Sequence, residues 1–296
     1  MSFFRSIWND LMYTLRVSPI VTRLIVINFG VFLVANILYG LMLLFGQAEA
    51  FNSGLYWFCV PASPLRLLIQ PWSPFSYMFL HLSFWHLVGN LVFLHMFGTI
   101  ISDLVGPRRV LPVYLLGGLA GALAFVLSAQ FIPWVGSYAL GASGAVMALG
   151  GAALYTAPEY RVRLLLLGDV KVKYIVLVLL VFDLVGIAGR YNSGGHMAHL
   201  GGFALGLLFV RAMKQGQDWS EPVHRILDYL SGQLLSLGRQ RRSKTSSARP
   251  TPKRSKTEGS LSPQERLDAI LDKIKESGLE SLTPEEKEFL YNASKK

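Results

Sequence analysis

Four short stretches of the chain set hydrogen-bonding or ionisable residues into otherwise apolar sequence. His86 and Asn90 stand four apart in His81-Leu-Ser-Phe-Trp-His86-Leu-Val-Gly-Asn90, which puts both on one helix face. Ser143 sits in Gly141-Ala142-Ser143-Gly144, His199 in Ala198-His199-Leu200-Gly201-Gly202, and Asp183 alone in an aliphatic run. A hydroxyl and an imidazole suffice for nucleophilic catalysis: the neutral ring takes the hydroxyl proton and the oxygen attacks an acyl carbon. The developing oxyanion then needs donors. The natural three are the Ser143 N–H, at a helix start where N–H groups lack an intrahelical acceptor, the Asn90 amide and a ring nitrogen of His86. The G-x-S-x-G elbow of soluble hydrolases is absent, because Ala145 stands where its second glycine would be. No HExxH occurs and no carboxylate lies at ligand spacing along the sequence from any histidine, while the single cysteine, Cys59, excludes an internal disulfide or thiolate cluster. No metal site and no cofactor are expected.

The elements that must carry these residues are membrane helices. The 296 residues are 52% hydrophobic and 16% charged, with mean hydropathy +0.42, too apolar for a soluble domain of this length. Charge is unevenly spread: residues 1–213 hold 12 Lys/Arg and 6 Asp/Glu, residues 214–296 hold 16 and 12, so only the second part reads as water-soluble. Continuous apolar runs at 21–46, 84–102, 110–131, 142–157, 172–189 and 196–213 predict six crossings, each near the ~20 residues that span the bilayer hydrocarbon. They are helices rather than barrel strands because the runs do not alternate. The fourth run is short and rich in Gly and Ala, which predicts a helix enclosed by the others. Arg5, Arg16 and Arg23 precede span 1, Arg108 and Arg109 separate spans 2 and 3, and Arg161, Arg163, Lys171 and Lys173 separate spans 4 and 5. By the positive-inside rule both termini are cytoplasmic. Ser143 and His199 then begin two inward-running spans at similar depth under the outer face, with His86 at a matching level. Gly202 and Gly206 follow His199, and Gly150 and Gly151 follow Ser143, so small faces let these helices approach closely.

The set His86-x-x-x-Asn90, Gly141-Ala-Ser143-Gly144 and Ala198-His199-x-x-Gly202-x-x-x-Gly206, in order on spans 2, 4 and 6, resembles the rhomboid family of intramembrane serine proteases over roughly residues 20–213. The resemblance implies an all-α membrane protein with a six-helix bundle. It implies a Ser143–His199 dyad acting through an acyl-enzyme, with His86, Asn90 and the Ser143 N–H as oxyanion donors and Gly141, Gly144, Met147, Gly202 and Gly206 in support or gating. Substrates would be transmembrane segments of other proteins, cleaved near their exposed ends. Two positions depart from the family: Met147 stands where a ring-stacking Tyr is common, and Asp103 where Glu is usual. The family's Trp-Arg pair is not evident in residues 47–71. Asp183 could orient His199, but structural hydrogen bonding near the turn between spans 5 and 6 is the favoured reading; His81 is read as structural, His95 as unassigned and His196 as wetted.

Around the six-helix region of 19–213, apolar residues at helical spacing in 1–18 predict an interfacial amphipathic helix, and 214–260 reads as a weakly amphipathic segment followed by a basic linker. Residues 239–257 hold eight Lys/Arg and no acid, which suits anionic headgroups; no recognition element accompanies them, so nucleic acid is not an expected partner. In 261–296, Ser262-Pro263-Gln264-Glu265 and Thr283-Pro284-Glu285-Glu286 are capping-box starts of a small cytoplasmic helical hairpin, with Gly278 ending its first helix. Too small for a core of its own, it is expected to dock on a cytosolic or membrane partner. No small-residue cleavage pattern follows the first apolar run, and an N-inside design without a presequence places the protein in a bacterial inner membrane. The main rival is a catalytically silent scaffold that binds membrane helices. A small-solute transporter is disfavoured because residues 1–105 and 106–213 do not repeat each other.

Overall fold

The computed structural model describes residues 3–165, 168–230, 263–277 and 281–293. The chain divides into two compact units, 1–234 and 235–296. In the first unit, α1 (Phe3–Val17) and α2 (Ile20–Leu44) lead into α3 (Ala48–Tyr56), α4 (Pro64–Ile69), α5 (Ser73–Ser76) and a 3₁₀ turn (Tyr77–Phe79). The bundle proper is α6 (Phe84–Leu104), α7 (Pro107–Ala129), α8 (Ser143–Thr156), α9 (Val172–Ala188) and α10 (Ser193–Lys214), followed by α11 over 220–230. Four helices, α2, α6, α7 and α10, are long and apolar enough to cross a membrane. Large apolar side chains are exposed along the outer faces of α2 and α9, such as Val34, Ile37, Leu177, Phe182 and Val185, as suits contact with lipid rather than water. This is a multi-pass, mainly helical membrane protein.

α8 is the enclosed element. Fourteen residues at 1.5 Å each give roughly 21 Å, short of the ~30 Å hydrocarbon. Every residue from Gly144 to Ala153 is buried. Small residues make this enclosure possible. A β-carbon at Gly202 would collide with the Gly144 carbonyl and one at Gly206 with the Ala148 carbonyl, so α10 lies backbone-to-backbone on α8. Gly151 meets the Phe203 carbonyl in the same way, whereas Gly150 faces Phe97 of α6. A buried polar set ties α2, α7 and the segment before α6 together: Tyr114 Oη donates to the Met78 carbonyl at 3.0 Å and accepts from Asn28 Nδ2 at 3.2 Å, and Tyr77 Oη donates to the Gly118 carbonyl at 2.5 Å. Each bond replaces one the group would otherwise lose on leaving water.

Two short antiparallel ladders interrupt the all-α pattern. β1 (Val60–Pro61) pairs with β2 (Tyr138–Ala139), and β3 (Arg161–Leu164) with β4 (Gly168–Lys171). The second has a legible cause: Arg161-Val162-Arg163-Leu164 alternates with period two, and Val162, Leu164 and Val170 pack on the core while the arginines stay exposed. Glu159 binds Lys171 Nζ at 2.6 Å and also Lys173 Nζ; hydrogen bonds from these two ammonium groups pull its carboxyl down to about 2. Between α2 and α6 the chain is helical rather than a plain loop: the Trp57 and Trp72 rings stack and Trp72 Nε1 donates to the Trp57 carbonyl at 2.8 Å.

α11 is held to the α6–α7 turn by Arg109–Asp218 at 2.9 Å and by His224 Nε2 donating to the Arg108 carbonyl at 2.8 Å. In the second unit, α12 (Pro263–Ser277) and α13 (Pro284–Ala293) are joined by Lys273 Nζ, which contacts both Glu286 oxygens at 2.9 and 2.8 Å. Thr283 and Glu286 form the expected reciprocal cap. The basic stretch 239–257, the Ser262 cap and Gly278 lie outside the described residues.

The α8–α10 contact predicts a contrast between two glycine substitutions. Gly206→Ala forces a methyl against the Ala148 carbonyl and should cost about 1–3 kcal/mol. Gly30→Ala in α2 meets nothing within 4 Å and should be neutral or stabilising. Thermal melts in detergent check this; equal melting temperatures for the two variants would show that α8 and α10 separate without cost.

Candidate active site

The turn that delivers Ser143 is fixed by backbone and side-chain bonds from the segment before α6. Gly141 N–H donates to the Tyr77 carbonyl at 2.9 Å, and Ala142 N–H donates to His81 Nε2 at 3.3 Å. Gly141 has φ +124°, a conformation L residues rarely adopt, and a β-carbon there would lie 2.8 Å from His86 Cε1, 3.1 Å from His86 Nε2 and 3.6 Å from Ser143 Oγ. The missing side chain leaves room for both groups around one point. Ser143 is the first residue of α8, so its N–H and those just after it have no partner within the helix. His86 is three residues into α6, behind the Ser83 cap. Asn90 Nδ2 donates to the His86 carbonyl at 2.8 Å, which keeps its side chain along α6.

His199 comes from the second turn of α10. Ser143, His86, Asn90, Met147, Asp183, His196 and His199 all line one cavity of about 270 Å³. Trp85 of α6 and Phe182 of α9, both exposed, are part of its lining. Ser143 Oγ and His199 share this cavity but form no hydrogen bond in this structure; catalytic hydrogen bonds often tighten only when substrate is bound.

The spacing of the sequence does not reveal what holds the imidazole. Asp183, 3% exposed, accepts from His199 Nδ1 at 2.6 Å and from His196 Nδ1 at 2.7 Å, both on Oδ1. With Asp183 as a carboxylate, which only accepts, both rings would donate from Nδ1 and His199 Nε2 would be the nitrogen left to take a proton. Asp183 thus does more than bond within the turn between α9 and α10. His196, expected to be wetted, is instead part of α10, half-buried, with its ring over Gly186. Spacing along the sequence, which offers no carboxylate beside a histidine, does not reveal this cluster: thirteen and sixteen residues of separation vanish when α9 turns into α10, and the ligand atoms of Asp183, His196 and His199 lie within 4.8 Å of one another. His81 is structural, as its bond to Ala142 shows, and His95 is exposed on α6.

A sequence model of the Rhomboid domain matches residues 69–215, which include every one of these side chains. The chain belongs to the rhomboid family. Residues 260–296 match a second model, a family of unknown function, DUF6576. Among curated relatives, Rhomboid protein 1, mitochondrial, of Saccharomyces cerevisiae is 31% identical over 136 residues, 44% of this chain and 38% of that protein. Presenilin-associated rhomboid-like protein A, mitochondrial, of Danio rerio is 30% identical over 152 residues, 51% of this chain and 38% of that protein. Rhomboid protease GluP of Bacillus subtilis is 31% identical over 141 residues, 46% of this chain and 26% of that protein. The chain thus spans well under half the length of these relatives.

Within this rhomboid domain Met147 is 5% exposed and lines the cavity where an aromatic ring is common in the family, so the imidazole is held from its Nδ1 side by Asp183. Replacing Asp183 by Ala strips two buried rings of their acceptor and should destabilise the domain by about 1–3 kcal/mol, with Asp183→Asn costing less because its amide oxygen still accepts. Detergent melts of the two variants read this directly. Equal losses would mean that the bonds to the rings contribute little.

Proposed function

We propose that this rhomboid-family chain is an intramembrane serine endopeptidase that hydrolyses peptide bonds in or near transmembrane segments of membrane proteins. The observation that carries the reading is the convergence on one cavity, between membrane-spanning helices, of a helix-N-terminal serine and an imidazole whose Nδ1 is fixed by a buried carboxylate. Ser143 Oγ attacks the scissile carbonyl while His199 Nε2 takes its proton and then passes it to the leaving amine. Asp183 holds the ring in the competent tautomer and steadies the imidazolium. The oxyanion is received by the Ser143 N–H, the His86 ring and the Asn90 amide once Asn90 turns from the His86 carbonyl. Water, entering by the same cavity, then releases the acyl-enzyme. None of these groups calls for ATP or a metal.

The name Rhomboid protease of the Bacillus subtilis relative supports this reading at family level. The basic residues between the apolar runs favour six crossings with both termini cytoplasmic, in a bacterial inner membrane; of the relatives, one is bacterial, while the yeast and zebrafish proteins carry mitochondrial names. A single-pass substrate helix would enter between α6 and α9 past Trp85 and Phe182. The C-terminal segment matched by the second family model, 260–296, would bind a cytosolic or membrane partner. One observation favours the rival scaffold reading: no bond joins Ser143 to His199 in this structure.

Fluorophosphonate labelling in detergent separates the two. The unsubstituted chain should label, Ser143→Ala should not, and His199→Ala should label slower by roughly 10³-fold or more. Asn90→Ala should slow turnover of a transmembrane substrate by about 10²–10³-fold, the usual cost of one oxyanion donor. A chain that never labels, and whose Ser143→Ala variant keeps full function in cells, is the scaffold.

Entry between α6 and α9 makes its own prediction. Trp85→Cys with Phe182→Cys, joined by a bifunctional thiol crosslinker, should abolish cleavage of a transmembrane substrate while fluorophosphonate labelling continues. Unchanged cleavage in the crosslinked protein would place substrate entry elsewhere.

A further inference from the structure

The Asp183, His196 and His199 cluster has one member more than proton transfer uses. Catalysis through His199 needs a single acceptor at its Nδ1; His196 contributes a second imidazole aimed at the same carboxylate oxygen. The two rings meet edge-on, with centroids 5.6 Å apart and planes at 84°. The His196 ring lies over Gly186, close enough that a β-carbon there would collide with it. Asp183 Oδ2, the other oxygen of the carboxylate, is buried without a hydrogen-bond partner among the described residues. Two imidazole nitrogens and a carboxylate with an unused oxygen, all within 4.8 Å and lining the cavity of about 270 Å³, form a three-ligand set with room for a fourth.

The geometry points to an inhibitory divalent-cation site of zinc type, made by Nδ1 of His196, Nδ1 of His199 and the carboxylate of Asp183. This inference rests on the proposed role of His199 for its consequence but not for the binding itself. A mixed imidazole and carboxylate set suits Zn²⁺, which takes three protein ligands at about 2.0–2.2 Å and leaves its fourth position to water. Mg²⁺ and Ca²⁺ prefer more oxygen ligands than this cluster offers. The hydrogen-bonded distances of 2.6 and 2.7 Å are shorter than the roughly 3.3 Å between donor atoms around one tetrahedral zinc, so the ion enters by parting the carboxylate from the rings. Rotation of Asp183 toward Oδ2 supplies that space without breaking another bond.

The effect on chemistry follows from proton bookkeeping on the ring. A neutral imidazole carries one proton. Zinc on Nδ1 takes the lone pair there, so the proton formerly on Nδ1 resides on Nε2. A protonated Nε2 cannot accept the Ser143 proton. Zinc therefore silences the base by imposing the wrong tautomer, with no change of covalent bonding in the protein, and removing the ion restores it.

The test uses the full chain in detergent with affinity tags removed. Titration of the Ser143→Ala protein with ZnCl₂ in a calorimeter should show saturable binding of a single equivalent, weakened at least tenfold by His196→Gln and by Asp183→Asn in the same background. In the chain retaining Ser143, the fluorophosphonate labelling rate should fall with a midpoint matching that affinity, and EDTA should restore it. The ratio of rates with and without zinc, taken within each variant, should approach one in His196→Gln whatever its basal rate. Co²⁺ added to the unsubstituted chain gives a readout independent of substitution, the intense visible absorption of a four-coordinate ion. Absence of saturable binding with no such Co²⁺ spectrum, or zinc binding indifferent to both substitutions, overturns the site. Zinc binding that follows the ligands in a chain that never labels leaves the site standing and removes the dyad reading alone.

Discussion

Everything at the centre of this protein depends on two helices meeting without side chains between them. The Gly202 and Gly206 α-carbons rest on the Gly144 and Ala148 carbonyls, and this contact sets the depth and rotation of α8 relative to α10. Ser143 opens α8 one residue before Gly144, and His199 precedes Gly202 by three, so both side chains sit at one end of that contact. In lipid no hydrophobic force drives two apolar helices together; close van der Waals packing must do so, and a methyl group at either glycine removes it. The backbone contact both packs the two helices closely and puts a hydroxyl and an imidazole beside one cavity.

The remaining elements constrain that cavity from the side. The α8 start is tied to the Tyr77–Phe79 turn through Gly141 and to His81 through Ala142. The Tyr77 and Tyr114 hydroxyls in turn fasten that turn to α7 and α2. Ring orientation comes from α9, through Asp183. α9 is also the most lipid-exposed part of the site, with Leu177, Val181, Phe182 and Val185 all outward. One helix therefore carries both a buried carboxylate bonded to the His199 ring and an exposed apolar face.

Much of this is legible in sequence because it is local. Apolar runs give the helices, Gly-rich faces mark close approach, and the Thr283–Glu286 cap follows from residue type and spacing. The enclosure of α8 is likewise readable from its shortness and its Gly and Ala content. What sequence does not reveal is tertiary. Asp183 and His199 are sixteen residues apart on different helices, and only the sharp connection through Arg190 and Asn192, both at positive φ, folds one onto the other. His196 reads as wetted because it stands at the entry to span 6, yet Ser193, Gly194 and Gly195 before it already belong to α10 and the glycines admit close neighbours: a β-carbon at Gly194 would strike the Phe125 ring. The β3–β4 ladder was present as an alternation of Arg and Val, but the same basic residues also carry the topology signal, and charge alone does not distinguish a loop from a strand.

Met147 brings these strands of argument together. An aromatic side chain one turn beyond the serine would hold an imidazole by its face, leaving Nδ1 free to find any acceptor. A thioether is flexible and fills space without fixing a ring plane. Orientation must then come from an atom that engages the ring in its own plane, and a carboxylate at 2.6 Å on Nδ1 does that. The arrangement also fixes the tautomer, which face stacking cannot do. Its cost is an acidic group buried in the membrane region with one oxygen unpartnered, a cost that the second imidazole of His196 offsets in part. The same economy of contacts that orients the base therefore assembles the cluster of donors on which a metal ion can compete with it.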